Sequence, residues 1–235
     1  MALRAGRVSS RTDDRPSDTG EPAWNVAAGS HSYSSPQVVS LGGIEQIIFL
    51  SDTALTSVEP STGKILWSYH CDESFGQPSL QPHVASDSEV LISFSPDTGT
   101  TALRVSHDAQ GWRAEPKWAS RNLKPFFNDF VRHGDSLYGF DGNIFCCIDL
   151  ESGSRRWKSG RYGNGQVLLI ADQALLLVVS ESGEAVLIAA NPQKHAELGR
   201  FPALRGKTWN HPVIAKHRLY VRNADEMACY QLKPL

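Results

Sequence analysis

The chain contains the sequence VEPSTGKILW at residues 58–67 and the related sequence IDLESGSRRW at residues 148–157. In both stretches an acidic residue stands eight positions before the tryptophan, and a glycine stands four positions before it. The two copies begin ninety residues apart, which is two periods of forty-five. Repeats of that length indicate stacked supersecondary units, and a unit of four short strands is the blade of a β-propeller. The repeat therefore predicts an all-β propeller of four-stranded antiparallel blades.

Short β-rich runs separated by turn residues continue this pattern from Trp24 onward. We predict about five blades, with strands A to D running from the propeller axis outward. Gly63 lies in the predicted turn between strands C and D, where a tight hairpin needs a residue that tolerates positive φ. The predicted blades are residues 31–70, 80–119, 127–159, 165–202 and 210–235.

The two ends of the sequence depart from the repeat. The predicted fifth blade has only three strands, and the segment Glu21–Val26 is a candidate for its fourth. Trp24 would then be the tryptophan of a D strand whose own A, B and C strands are not in this sequence. Residues 1–21 carry arginines among polar residues without an apolar period, so we expect them to be disordered.

Composition excludes several classes of protein. The chain has 235 residues, 40% hydrophobic and 20% charged, which is ordinary for a globular protein. A net charge of −2 gives no reason to expect binding to nucleic acid. No apolar run approaches the roughly 18 residues of a membrane-spanning helix. The first thirty residues hold no hydrophobic segment of a signal peptide, so the sequence predicts no export signal.

Several motifs together resemble one known family. They are Tyr33–Pro36, Thr62–Trp67, Leu137–Gly142, Gly160–Gly165, Thr208–Pro212 and Leu219–Asn223. In these stretches the chain resembles the pyrroloquinoline-quinone-like β-propeller repeat proteins of bacteria. That family is related in fold to quinoprotein alcohol dehydrogenases and to the propeller lipoprotein of outer-membrane assembly. The resemblance covers about residues 22–235.

The resemblance implies a propeller of seven or eight blades, of which this chain would supply four and most of a fifth. The chain thus resembles the C-terminal part of a longer protein, or a shortened form. We expect an open arc rather than a closed five-bladed ring, because blades shaped for a wide ring must tilt more steeply to close a small one. In a closed ring, residues 24–28 would pair with residues 227–232. The resemblance also suggests the periplasm or cell envelope, although the sequence shows no signal peptide.

Cys146 and Cys147 are the residues that most suggest redox chemistry. In the quinoprotein dehydrogenases that the family resembles, a disulfide between adjacent cysteines stacks beside the cofactor. Here the pair lies in a predicted C strand, where neighbouring side chains point to opposite faces. We therefore favour the interpretation that both are buried free thiols in the core.

Other candidate motifs favour structural roles. The eight histidines form no metal-binding pattern, and a site shared by His83 and His211 at two strand starts is the weaker hypothesis. Residues 141–143 read Asp-Gly-Asn, which is typical of a hairpin turn rather than a calcium loop. The glycines of residues 160–165 do not follow the dinucleotide fingerprint, so we predict a loop between blades.

Loop residues are the remaining candidates for a binding site, because binding residues gather on the loops of rigid scaffolds. If the chain has a ligand site, we expect it to include Arg161, Tyr162, Trp209, Asn210, His211 and Arg222. The competing interpretation, which we favour, is that residues such as Arg222 and Asn210 satisfy backbone carbonyls in turns.

The sequence thus predicts a non-catalytic propeller scaffold that binds a protein or another ligand through its loop face. The partner would be another protein or the missing blades of a propeller. The alternative is a fragment of a quinoprotein dehydrogenase that uses pyrroloquinoline quinone with calcium. No catalytic residue and no metal ligand can be assigned for that enzyme, and fold similarity alone does not carry function. We therefore expect no cofactor.

Overall fold

A computed structural model of the chain describes residues 22–27, 29–70, 78–94 and 97–232. The disorder predicted for residues 1–21 lies outside this part. The chain divides into two compact units, Met1–Ala119 and Ser120–Leu235, which are treated separately below. Within the described residues, no helix has the length and apolar character needed to cross a membrane.

The first unit holds two four-stranded sheets in which the strands are hydrogen-bonded in chain order. Sheet 1 consists of β1 (Gln37–Leu41), β2 (Ile44–Leu50), β3 (Ala54–Val58) and β4 (Ile65–His70). Sheet 2 consists of β5 (His83–Ser86), β6 (Glu89–Ile92), β7 (Thr100–Asp108) and β8 (Gly111–Ser120). The core of this unit lies between the two sheets, where Leu55 and Trp67 of sheet 1 pack with Ile92 and Leu103 of sheet 2.

The second unit holds two further four-stranded sheets and one three-stranded sheet. Sheet 3 consists of β9 (Val131–His133), β10 (Ser136–Asp141), β11 (Ile144–Asp149) and β12 (Arg155–Arg161). Sheet 4 consists of β13 (Gln166–Ile170), β14 (Leu175–Val179), β15 (Glu184–Ala189) and β16 (Glu197–Pro202), with a 3-10 turn at Ala171–Gln173. Sheet 5 consists of β17 (Val213–Ala215), β18 (Arg218–Arg222) and β19 (Met227–Gln231). Each sheet is a propeller blade, so the predicted fold class is confirmed.

The connections of a blade lie at two opposite ends. In sheet 3, Leu150 N donates to Asp135 O over 2.9 Å, which joins the C–D turn to the A–B turn. At the other end, Tyr162 N donates to Asn143 O over 3.3 Å, which joins the exit of strand D to the B–C turn. We call this second end, with the B–C turns and the connections that follow strand D, the loop end.

The two copies of the sequence repeat form the same turn. Gly63 N donates to Glu59 O and Gly153 N donates to Asp149 O, each over 2.9 Å. Both glycines have positive φ, 72° and 68°. A hydroxyl three residues after each acid donates to its carboxylate, from Thr62 in the first copy and from Ser152 in the second. The acid and the glycine of the repeat are therefore explained by the geometry of this C–D turn.

The tryptophans of the repeat occupy equivalent positions in the D strands. Trp67 lies opposite Ser57, and Trp157 lies opposite Cys147. Trp67 is buried, and its indole N–H donates to Gln46 Oε1 over 2.9 Å. Trp157 is half-buried, and its indole N–H donates to Asn191 O over 2.9 Å. The predicted register of the repeat is confirmed.

Trp24 packs on sheet 1 and does not form part of a fourth strand in the fifth blade. Residues 22–27 belong to no strand, and sheet 5 has three strands within the described residues. The Trp24 indole N–H donates to Pro60 O over 2.9 Å, and Trp24 packs with Val58 on sheet 1. The alternative in which this segment forms a strand is therefore not what the structure shows, because the indole ring buries its apolar surface on the turn of sheet 1 instead.

Candidate functional site

The sequence-predicted site residues all lie near the loop end of the second unit, but their side chains do not form one surface. Trp209, Asn210 and His211 lie on the connection between β16 and β17, which we call the β16–β17 loop. Arg161 is exposed at the end of β12, and Arg222 is exposed at the end of β18. Asn210 is half-buried, and His211 is exposed with Nδ1 3.2 Å from Pro212 O.

Tyr162 points into the core rather than to the surface. Its side chain packs between sheets 3 and 4 and is only 3% exposed. The hydroxyl lies 2.9 Å from His195 Nε2 and 3.3 Å from Glu197 Oε2. Burial, together with the nearby Glu197 carboxylate, raises the pKa of Tyr162 to about 12. The Tyr162 ring therefore stabilises the two blades, and it is not accessible to a ligand.

Three aromatic side chains and one lysine lie together at the loop end of the second unit, and two of the aromatic side chains are exposed. Phe126 is 51% exposed and Trp209 is 43% exposed. The Phe127 ring lies between them, with its centroid 5.3 Å from that of Phe126 and 4.9 Å from that of Trp209. Lys207 Nζ lies 3.9 Å from the centroid of the Trp209 ring, in a cation–π contact. We call these four residues the aromatic loop surface.

Glu181, in the turn between β14 and β15, holds Trp209 in place. Its Oε1 accepts a 2.8 Å hydrogen bond from the Trp209 indole N–H, and its Oε2 accepts a 3.2 Å bond from Asn164 N. These two bonds, the Trp209 bond first, hold the pKa of Glu181 below its usual value. The Glu181 backbone donates to Tyr162 O and accepts from Thr208 N. One residue thus ties together the two loops on either side of sheet 4.

Asn223 fixes the other side of the β16–β17 loop. Its side chain is nearly inaccessible, and Nδ2 donates to Arg205 O over 2.8 Å. Its Oδ1 accepts from the backbone N–H groups of Asp225 and Glu226, over 3.0 and 2.9 Å. Gln166 Nε2 also donates to Trp209 O over 2.9 Å. The exposed Trp209 is therefore carried by a loop with a well-defined conformation.

Sequence reasoning identified Trp209 but missed its neighbours Phe126, Phe127, Lys207 and Glu181. The sequence offered one signal, because Phe126 and Phe127 form an aromatic pair directly before a predicted A strand, in a connection that propellers place at one end. Which of the two rings meets Trp209 depends on packing across sheets, and a local pattern does not carry that information.

The adjacent cysteines do not fit a quinone site. Cys146 and Cys147 are free, fully buried thiols, as predicted, and Cys146 Sγ donates to Asn122 O over 3.3 Å. Burial raises the pKa of Cys147 to about 11 and that of Cys146 further. Neither sulfur is accessible to a stacked ring. Among the described residues, no group of three or more His, Cys, Asp and Glu side chains could hold a metal ion.

Asp141 lies at the centre of a cluster of cations in sheet 3. Its side chain is only 5% exposed, and its carboxylate lies 3.1 Å from Lys124 Nζ, 3.2 Å from Arg155 Nη2 and 2.5 Å from Lys158 Nζ. Burial alone would raise the pKa of Asp141, but hydrogen bonds from Lys158 and Lys124 outweigh it and hold the pKa below the ordinary 3.8. The carboxylate is therefore a structural element that balances three positive charges.

Replacing Asp141 with asparagine should destabilise the protein at neutral pH. We expect a loss of about 1–3 kcal/mol, below that for a fully buried pair because the cations remain partly exposed. Since the folded pKa is the lower one, this contribution is complete well above pH 3.8 and is lost as the pH falls through and below that value. Denaturant unfolding between pH 7 and 3 should show a shallower acid decline in D141N than in the parent.

Asp135→Asn is the matched control for that experiment, because Asp135 pairs with Arg156 but its side chain is 73% exposed. We expect it to change the free energy of unfolding much less than Asp141→Asn does, because solvent screens an exposed ion pair. Equal effects of the two substitutions would contradict a special role for Asp141.

The five sheets and the equivalent positions of the two repeat tryptophans define a β-propeller. The sequence model of the family described as outer membrane protein assembly factor BamB matches residues 11–159, more than half of the chain. The chain therefore belongs to this family of pyrroloquinoline-quinone-like propellers. No curated protein matches it.

Several solved structures are similar to this one at low sequence identity. BamB from Moraxella catarrhalis has a TM-score of 0.64 and 14% identity, over 89% of this chain and 63% of that chain. A putative 6-phosphogluconolactonase from Bacteroides uniformis has a TM-score of 0.60 and 14% identity, over 91% of this chain and 71% of that one. A putative 6-phosphogluconolactonase from Bacteroides fragilis has a TM-score of 0.58 and 11% identity, over 91% and 71%. At these identities the likeness concerns the fold alone, and the chain spans less than two thirds of the Moraxella protein.

Proposed function

We propose that this chain is a non-catalytic propeller scaffold that binds a protein partner through the aromatic loop surface. The observation that carries the proposal is the exposure of Trp209, whose large side chain is 43% exposed although its position is fixed. Glu181 accepts a hydrogen bond from its indole N–H, Lys207 lies over its ring, and its loop is held by hydrogen bonds. Aromatic residues are enriched at protein interfaces and dominate their binding energy. A pre-positioned aromatic side chain also loses little conformational entropy on binding.

The polar groups of the surface support binding rather than catalysis. The Glu181 carboxylate is already engaged by the Trp209 indole and by Asn164, and Lys207 lies over the Trp209 ring. Both charged groups thus position an apolar contact residue. The quinoprotein alternative is not favoured by any observation, because Cys146 and Cys147 are inaccessible.

The family supports a partner in the cell envelope of a bacterium. The matching family is described by a role in outer-membrane protein assembly, and BamB from Moraxella catarrhalis is among the similar structures. We therefore propose that the partner is a protein component of outer-membrane assembly. A partner of this kind would place apolar side chains against Phe126, Phe127 and Trp209, with a carboxylate near Lys207.

Site-specific photo-crosslinking in bacterial cells tests this proposal. A photoreactive phenylalanine analogue at position 126 should give one discrete crosslinked product with an envelope protein, and Trp209→Ala should strongly reduce its yield. The same analogue at Gln173, which is exposed in the A–B connection of sheet 4, is the matched control. Equal yields at positions 126 and 173, or a yield at 126 unaffected by Trp209→Ala, would overturn the proposal.

A further inference from the structure

The outer strand of sheet 5 has an open edge. β19 pairs with β18, and no described strand lies on its other side, whereas the other sheets have a fourth strand there. Leu232 N donates to His217 O over 2.8 Å, and Asn223 N donates to Glu226 O over 3.0 Å. Because hydrogen-bonded pairs alternate along an antiparallel ladder, the backbone groups of Met227, Cys229 and Gln231 point to the open edge.

Sheet 3 shows what a fourth strand would place against β19. The hydrogen bond from Leu232 N to His217 O corresponds to the bond from Leu150 N to Asp135 O in sheet 3. Pairing Leu219 with Tyr230 corresponds in the same way to pairing Leu137 with Ile148.

Cys229 therefore stands where Cys147 stands in sheet 3. There the fourth strand is antiparallel and sets Trp157 against Cys147. In sheet 1, Trp67 lies in the same way against Ser57. A strand that completes sheet 5 in the manner of its neighbours would place an aromatic side chain opposite the small, exposed Cys229.

The positive charge on the face of sheet 5 that carries Cys229 indicates which other side chains the added strand should have. Leu219 and Val221 point into the core with sheet 4, so Arg218 and Arg222 point to the other face, together with the side chains directed from β19 to that side. Arg218 lies in register with Gln231, and Arg222 lies in register with Met227. Both arginines are exposed, and Arg218 Nε donates to the neutral side-chain amide of Gln231 over 3.3 Å. Within the described residues, neither arginine forms an ion pair with a carboxylate.

The positions on an added strand follow from that register. The residues two before and two after the aromatic one would lie opposite Met227 and Gln231, on the same face. A carboxylate at either place is two strands, or about 10 Å, from the backbone of Arg218 or Arg222, because β19 lies between them. The long arginine and glutamate side chains together span that distance by reaching across Gln231 or Met227 on the same face. Carboxylates at both places would complement the two unpaired positive charges.

We propose that β19 is the docking edge for an extended acidic segment of a partner protein. The segment adds as an antiparallel fourth strand, with an aromatic residue opposite Cys229 and an Asp or Glu two residues to either side, facing Arg218 and Arg222. Main-chain hydrogen bonds at the edge supply affinity, and the aromatic and acidic side chains supply specificity. This edge is separate from the aromatic loop surface and does not depend on the function proposed for it.

Fluorescence anisotropy with the full chain and a labelled peptide tests the proposal. The probe is Thr-Glu-Thr-Trp-Thr-Glu-Thr, in which β-branched threonines favour a strand. We expect saturable binding that Cys229→Ser leaves unchanged. Cys229→Pro removes a donor at the open edge without touching the bonds to β18, and we expect it to weaken binding by at least about tenfold. Circular dichroism of the two variants shows whether the sheet is retained.

A charge exchange keeps the test decisive if the proline variant fails to fold. The peptide with lysines in place of both glutamates should bind the parent weakly, and binding should return in the double variant Arg218→Glu, Arg222→Glu. Trp209→Ala should leave peptide binding unchanged, which separates this edge from the aromatic loop surface. The proposal is overturned if the folded C229P variant binds the glutamate peptide as tightly as the parent protein does. It is equally overturned if the parent protein binds the lysine peptide as tightly as the glutamate peptide. It is also overturned if the edge binds a second copy of the chain, seen as a dimer that only C229P dissociates.

Discussion

Replacing Trp67 with alanine is expected to lower the free energy of unfolding by about 3–5 kcal/mol, the range for truncating a buried tryptophan. Trp67 is 4% exposed and packs with Leu55 of its own sheet and with Ile92 and Leu103 of sheet 2. Its indole N–H also donates to the inaccessible Gln46 side chain, which would lose one of its partners. Denaturant unfolding followed by circular dichroism measures this loss.

Two further variants separate the contribution of ring burial from that of the indole hydrogen bond. Trp67→Phe keeps most of the apolar volume and loses the hydrogen bond, so we expect a smaller cost of about 1–2 kcal/mol. Trp157→Ala removes the equivalent ring of sheet 3, which is only half-buried, and should cost less than Trp67→Ala. A loss below about 1 kcal/mol in Trp67→Ala would contradict a core role for the repeat tryptophan.

Replacing Gly63 with alanine is expected to cost about 2–4 kcal/mol, from two separate effects. Gly63 has a φ of 72°, where a side chain is disfavoured. A Cβ atom built on Gly63 would also lie 2.5 Å from Trp24 Cδ2, so the indole ring would have to leave the turn. The thermal midpoint and the free energy of unfolding should both fall.

Gly43→Ala is the control that isolates the conformational effect. Gly43 has a similar φ of 70°, but a Cβ atom there would meet nothing within 4 Å. We expect it to cost only about 1 kcal/mol, the penalty of the left-handed backbone. In the background of Trp24→Ala, Gly63→Ala should cost no more than Gly43→Ala. If the two glycine substitutions are equally costly in the parent protein, Trp24 does not pack on this turn.

The blade pattern could be predicted because its signals are local. The acid, the hydroxyl and the glycine of the repeat all act within one C–D turn, so their spacing along the sequence is also their spacing in the structure. The position of the tryptophan follows from strand alternation in the same way. For this reason the register of Trp67 and Trp157 was predicted from ten-residue stretches alone.

Contacts between blades could not be predicted from local signals. Trp24 was a candidate for an edge strand and Tyr162 for a ligand site, yet each ring is directed by a partner distant in the sequence. Trp24 meets the turn at Pro60, and Tyr162 meets His195 in the connection before β16. The side of the chain on which such a ring lies depends on the curvature of the loop, which the residue pattern does not specify.

The sequence placed a possible site on loops, but it did not indicate which side chains meet there. Loops on one end of the scaffold were expected to carry the site, and Trp209 lies there with Asn210 and His211. The contact between the tilted rings of Phe127 and Trp209 joins two connections that are far apart in the sequence. An exposed aromatic group of this kind forms only when the folded chain brings together loops that are distant in the sequence.

The most direct test of the proposed scaffold function is the affinity of the purified chain for the protein captured by crosslinking at position 126. Calorimetric titration should give a Kd that Trp209→Ala weakens by at least about thirtyfold, the loss of an interface residue worth 2 kcal/mol or more. Gln173→Ala should leave the Kd unchanged, and circular dichroism should show that both variants are folded at the temperature of the titration. An affinity unchanged by Trp209→Ala would contradict the account.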